Sequence, residues 1–85
     1  MLNSLDRQLS DLVARVVAHL GDRPLTFDGD FYSQGLDSID HIKIIMEVEE
    51  AFGLRVPEAD YDRLNSIAAI SVFLGEQGAR PPLTP

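Results

Sequence analysis

The chain has 85 residues and a mass of 9.4 kDa, enough for one domain with a limited core. Hydrophobic residues make up 45% and charged residues 25%, the balance of a folded chain rather than a disordered one. There is no Cys, which excludes disulfide scaffolds, thiolate metal sites and cysteine nucleophiles. Fourteen Asp and Glu against seven Lys and Arg give a formal net charge of -7, the wrong sign for binding nucleic acid by phosphate neutralisation. No apolar run is long enough for a signal peptide or for membrane insertion.

In chain order the pattern is helical. Asn3 or Ser4 can cap a first helix, in which Leu5, Leu9, Leu12, Val13, Val16 and Leu20 recur at helical spacing. Gly21 and the following Asp22-Arg23-Pro24 end it. Residues 21–36 contain Gly21, Pro24, Gly29 and Gly35 and keep no period, so they read as a long loop anchored by Leu25, Phe27, Phe31 and Leu36. A second helix starts at Asp37 or Ser38 and runs to about Phe52, with Gly53 as its stop. Arg55-Val56-Pro57 forms an extended link, and the residues from Glu58 to Leu64 can make one or two helical turns. Asn65-Ser66 caps a last helix carrying Ile67, Ile70, Phe73 and Leu74, which ends at Gly75 or Gly78. No stretch alternates with period two. The expected fold is all-α, a small bundle of three main helices and one short one, with one domain over residues 1–80 and a Pro-rich tail over 81–85.

The second helix is too apolar to bury one face only. At about 100° per residue, Ile44, Ile45, Val48 and Phe52 share one sector, the core stripe, while Ile39, Ile42 and Met46 fall on the far side. Asp40 and Glu47 lie together on the polar side, and Lys43, Glu49 and Glu50 border the second stripe. An apolar strip rimmed by carboxylates is the pattern of an interaction surface; the alternative is that this stripe packs under the 21–36 loop. The charge is uneven too. Residues 28–62 hold ten acidic side chains against two basic ones, Lys43 and Arg55, a net of -8, whereas the remainder holds four against five, a net of +1. Such a segment either solvates the surface or steers basic partners.

The start of that helix reads Gly35-Leu36-Asp37-Ser38-Ile39-Asp40. Gly35 permits a positive φ just before the helix, Asp37 suits the N-cap, and Asp40 three residues later favours the first turn. Ser38 is then placed at an exposed helix start. It lacks a general base of its own: His41, one turn on, lies in the core-facing sector, His19 lies near the end of the first helix, and both are expected to be structural.

These residues resemble the phosphopantetheine attachment motif of acyl and peptidyl carrier proteins, Gly-x-Asp-Ser followed by Leu or Ile. The resemblance extends over about residues 3–77 and takes in the helix order, the long first loop, the run from Met46 to Phe52, and Val56-Pro57 before the short helix. It implies a carrier fold in which Ser38, flanked by Asp37, is a substrate rather than a catalyst. A phosphopantetheinyl transferase, supplying metal and base, would place 4′-phosphopantetheine from coenzyme A on the serine oxygen. The thiol of that arm would carry acyl, aminoacyl or polyketide units as thioesters. The resemblance also assigns the second helix to partner recognition, with Asp37, Asp40, Glu49 and Glu50 as acidic contacts and Ile39, Ile42 and Met46 as apolar ones. The partners implied are loading ligases, synthases and transferases with basic docking patches.

One departure is Lys43, which stands where fatty-acid carriers usually have an acid; it favours a specialised pathway with an unusual or amino-acid-derived cargo. The chain is expected to be a cytoplasmic monomer and, from Met1 and the short Pro-rich end, free-standing rather than excised from a larger synthase. The competing reading is an unmodified helical adaptor with the same fold. Asp28-Gly29-Asp30 matches the start of a calcium loop, but Tyr32 and Ser33 occupy the next ligand and glycine places and Ile39 stands where the bidentate Glu belongs. Phosphate-cradling loops, metal-spaced histidines and Ser-His-Asp sets are also lacking from the sequence, so an enzyme is not expected.

Overall fold

Asp6 in the first turn and Arg15 in the last complement the dipole of helix α1, Ser4–Val16, the first element in the computed structural model, which describes residues 4–20 and 25–78. Leu9, Leu12 and Val13 form its buried stripe, with Leu5 and Val16 packed at the margin. The sequence carries this helix to Leu20, but the α-helical turns end at Val16 and the chain tightens into a 3₁₀ turn over Ala18–Leu20. Helices often tighten this way at their ends; Val17, outside the expected stripe, is buried one turn beyond Val13, its N–H donating to the Val13 carbonyl at 3.0 Å. The expected cap at Asn3, the stop at residues 21–24 and the tail over 81–85 lie outside the described residues.

The loop that follows docks by its main chain as well as its side chains. Phe31 is fully buried, Leu36 nearly so, and Leu25 and Phe27 pack against the core. Phe31 N–H donates to the Asn65 carbonyl at 2.8 Å, and Ala68 N–H donates to the Phe27 carbonyl at 2.9 Å. The second bond satisfies one of the first-turn N–H groups that a helix leaves without an internal acceptor. Gln34 stitches the loop to itself, accepting from Thr26 N–H at 2.7 Å and donating to the Gly29 carbonyl at 2.9 Å. A 3₁₀ turn over Tyr32–Gln34 interrupts the loop, with Gly35 beyond it at φ 100°, a region that costs a side-chain-bearing residue about 1–2 kcal/mol.

Helix α2, Ser38–Phe52, has Asp37 as its N-cap and Gly53, at φ 65°, as its left-handed C-cap. Ile44, Ile45 and Val48 are buried and Phe52 is half-buried, the core stripe expected. A six-residue 3₁₀ helix, Glu58–Arg63, supplies the short element. Helix α3, Ile67–Glu76, is capped by Ser66, which accepts from Ala69 N–H at 3.0 Å. Ile67, Ile70, Phe73 and Leu74 are all buried. Ser71 on α3 donates to Asp6 on α1. The architecture is thus an all-α bundle of three main helices and one short one, and no strand occurs among the described residues.

Candidate functional site at the start of helix α2

The geometry of the α2 start comes from a reciprocal pair of hydrogen bonds. Asp37 Oδ1 accepts from Asp40 N–H at 2.9 Å, and Asp40 Oδ2 accepts from Asp37 N–H at 3.2 Å, a capping box that satisfies two donors at once. The Asp40 N–H holds the Asp37 carboxyl below its ordinary value, against an opposing desolvation; the Ile39 N–H and the nearby His19 act in the same direction as Asp40. Ser38 is the first helical residue and is exposed. Because Asp37 does the capping, the Ser38 hydroxyl is left with no hydrogen-bond partner among the described residues.

No base reaches that hydroxyl from the histidines. His41 is buried, with 4% of its surface exposed. Its Nε2 lies 2.7 Å from the Leu64 carbonyl and its Nδ1 lies 2.8 Å from the Tyr32 hydroxyl. A carbonyl only accepts, so Nε2 carries a hydrogen, and in the neutral ring Nδ1 accepts from the Tyr32 O–H. Phe31 and Tyr32 meet the same ring edge-on, at centroid distances of 5.8 and 5.4 Å. His41 therefore joins the long loop, α2 and the segment before α3, the structural role expected of it. His19 Nε2 lies 3.1 Å from Asp40 Oδ1.

The second stripe of α2 is open to solvent rather than covered by the loop: Ile39 is 62% exposed, Met46 58% and Ile42 45%. A shallow groove of about 300 Å³ borders it, lined by Val16 of α1 and by Lys43, Met46 and Glu47 of α2. Two of the expected rim acids face elsewhere. Asp40 is buried, at 5% exposure, because the capping box and His19 engage both its oxygens. Glu49 is half-buried and its Oε2 accepts from Val56 N–H at 2.8 Å, which fixes the chain leaving α2. Glu47 and Glu50 are the exposed acids of this face. In the loop, Asp30 accepts from Ser33 N–H at 2.9 Å, and among the described residues no group of three His, Asp or Glu is placed to hold a metal ion.

The helix start thus caps itself and leaves a serine hydroxyl exposed beside an apolar strip. The phosphopantetheine attachment site family model matches residues 7–74, and the chain belongs to that family. Among its relatives, acyl carrier protein 4 of the chloroplast of Arabidopsis thaliana is 36% identical over 61 residues, 72% of this chain and 44% of that protein. The mitochondrial acyl carrier protein of Dictyostelium discoideum is 31% identical over 72 residues, 81% of this chain and 60% of that protein. An acyl carrier protein of Akkermansia muciniphila is 26% identical over 73 residues, 85% and 90% of the two chains. The chain thus spans about half the length of the organellar relatives and most of the bacterial one. These relatives are carriers rather than enzymes. Two bear chloroplast and mitochondrial names, so compartment is not a property they share, and the cytoplasmic expectation is not carried forward. No described helix is long and apolar enough to cross a membrane.

Membership implies a covalently attached 4′-phosphopantetheine, and the residues present fit it: Ser38 offers an exposed oxygen that the cap does not use. When attached, the group supplies a terminal thiol on a long arm, the chemistry that a chain without Cys does not have of its own.

Proposed function

We propose that this chain is an acyl carrier protein whose attachment residue is Ser38, and that it presents acyl, aminoacyl or polyketide cargo to partner enzymes through α2. The observation that carries the reading is the exposed, uncapping hydroxyl at the first position of α2. In the loading reaction Ser38 Oγ forms the new bond to the phosphorus that bears the pantetheine. The pyrophosphate bond of coenzyme A breaks, adenosine 3′,5′-bisphosphate leaves, and the serine proton passes to a base of the phosphopantetheinyl transferase. That base must come from the partner, because both nitrogens of His41 are engaged elsewhere and His19 lies against Asp40.

Ile39, Ile42 and Met46 supply the apolar contact for partners, and Asp37, Glu47 and Glu50 supply the exposed acid around it. Asp40 and Glu49 serve the fold instead. Partners of this surface are the transferase, loading ligases, synthases and acyltransferases that present basic patches. Exposed ion pairs contribute only about 0–1 kcal/mol each, so several together guide encounter while release stays fast. Exposed Lys43 breaks the acidic rim, which supports a dedicated pathway over general fatty-acid synthesis.

Incubating the protein with a broad-specificity transferase, coenzyme A and Mg²⁺ should add one phosphopantetheine by intact mass, and Ser38→Ala should add none. No addition under conditions that modify an established carrier overturns the reading. Glu50→Lys should raise the KM of the same transferase for the chain at low salt, a difference that shrinks as salt screens it. An unchanged KM at low salt removes Glu50 from the docking face.

A further inference from the structure

Asp40 is a buried carboxylate in the first turn of α2, and one of its partners comes from another element, 21 residues earlier in the chain. His19 sits in the 3₁₀ turn Ala18–Leu20, half exposed, with Nε2 at 3.1 Å from Asp40 Oδ1. The other oxygen of Asp40 accepts from Asp37 N–H, and Asp37 in turn accepts from Asp40 N–H. Ser38 hangs between these two residues. The linkage therefore runs from the end of α1 through one carboxylate into the backbone that carries the serine.

We infer that His19 is a positioning residue for the loading of Ser38: through its Nε2 contact it holds Asp40 in the capping box and so keeps the helix start in the conformation that a transferase recognises. This rests on Ser38 being the acceptor. Without His19 one oxygen of this buried carboxylate loses its partner, which is costly for a charged group. Losing that contact favours turning Asp40 outward, which releases Asp37 N–H and frays the first turn. The groups facing His19 are Asp40 of α2 and its N-cap Asp37, both acidic; along its own stretch, among the described residues, the nearest charge in the chain is Arg15, in the last turn of α1.

The test compares the full chain with His19→Ala and His19→Gln as substrates of one broad-specificity phosphopantetheinyl transferase, with coenzyme A and Mg²⁺ at a single pH. If the recognised conformation of the alanine variant falls to about a third of the population, its KM rises about three-fold with kcat unchanged. Glutamine, whose side-chain N–H can still donate to Asp40, should recover most of the wild-type KM. An alanine variant with the wild-type KM, or a glutamine variant no better than alanine, overturns the inference. The Asp37 and Asp40 amides should also exchange with solvent faster in the alanine variant than in wild type, while the Ala69 amide at the start of α3 does not, and equal protection at the start of α2 overturns it. If the alanine variant loses its helicity, the glutamine variant decides, and a KM more than about three-fold above wild type overturns the inference. Amide exchange needs no transferase, so a protein that accepts no phosphopantetheine would refute the function of Ser38 while leaving the His19 linkage to be judged separately.

Discussion

The starts of α2 and α3 are built alike and used differently. Each begins at a polar dipeptide, Asp37-Ser38 and Asn65-Ser66, and each cap residue is extended and accepts from an N–H three residues on, at 2.9 Å in one and 3.0 Å in the other. In α3 the serine is itself the cap, it is buried, and the residue after it, Ile67, enters the core. In α2 the aspartate is the cap, so the serine moves one place into the helix and outward, and Ile39 after it is exposed. A one-residue difference in which side chain caps separates a serine buried in the fold from one left exposed.

The sharpest way to break this comparison is to exchange the serines' fates. Ser38→Ala should lose phosphopantetheinylation entirely while its unfolding free energy stays within about 0.5 kcal/mol of wild type, as for exposed sites generally. The following residues should differ next most. Ile67→Ala should cost about 2–5 kcal/mol in denaturant unfolding, whereas Ile39→Ala should stay within about 0.5 kcal/mol and show its effect in transfer kinetics. Ser66→Ala should cost about 1 kcal/mol through its lost cap and leave the mass gain intact. Equal stability losses at the two serines would erase the distinction.

The smallest effect is a dependence on pH. Asp37 is held below its ordinary value by the Asp40 N–H, so its folded value lies below its unfolded one. Its contribution is present above the unfolded value of about 3.9 and is lost as pH falls through the folded value. The melting temperature of Asp37→Asn should trail wild type near pH 7 and converge with it at strongly acidic pH; no such cap titration is expected at Ser66.

Local signals carried most of the fold. Asp37 and Gly53 bound α2 as the sequence indicates, Ser66 caps α3, and the stripes of Ile44, Ile45, Val48 and of Ile67, Ile70, Phe73, Leu74 are the cores their spacing implies. Ser38 was legible because its exposure depends only on its neighbours in one helical turn. What periodicity missed depends on partners far along the chain. Asp40 reads as a surface acid until His19 is seen beside it, Glu49 until Val56 folds back onto it, and the clasp at His41 needs Tyr32 and Leu64 together. A helical wheel places polar residues outside, but a carboxylate with both oxygens engaged is content inside. The shortened α1 was hidden for a related reason, since a 3₁₀ turn alters the angular step without altering composition.

The long loop is secured to the last helix by two main-chain bonds, Phe31 N–H to Asn65 and Ala68 N–H to Phe27. Atoms common to almost every amino acid make those bonds, so drift at solvent-facing loop positions such as Asp28 leaves them unharmed. Substitutions there can therefore change the surface presented beside the start of α2 without loosening the scaffold beneath it.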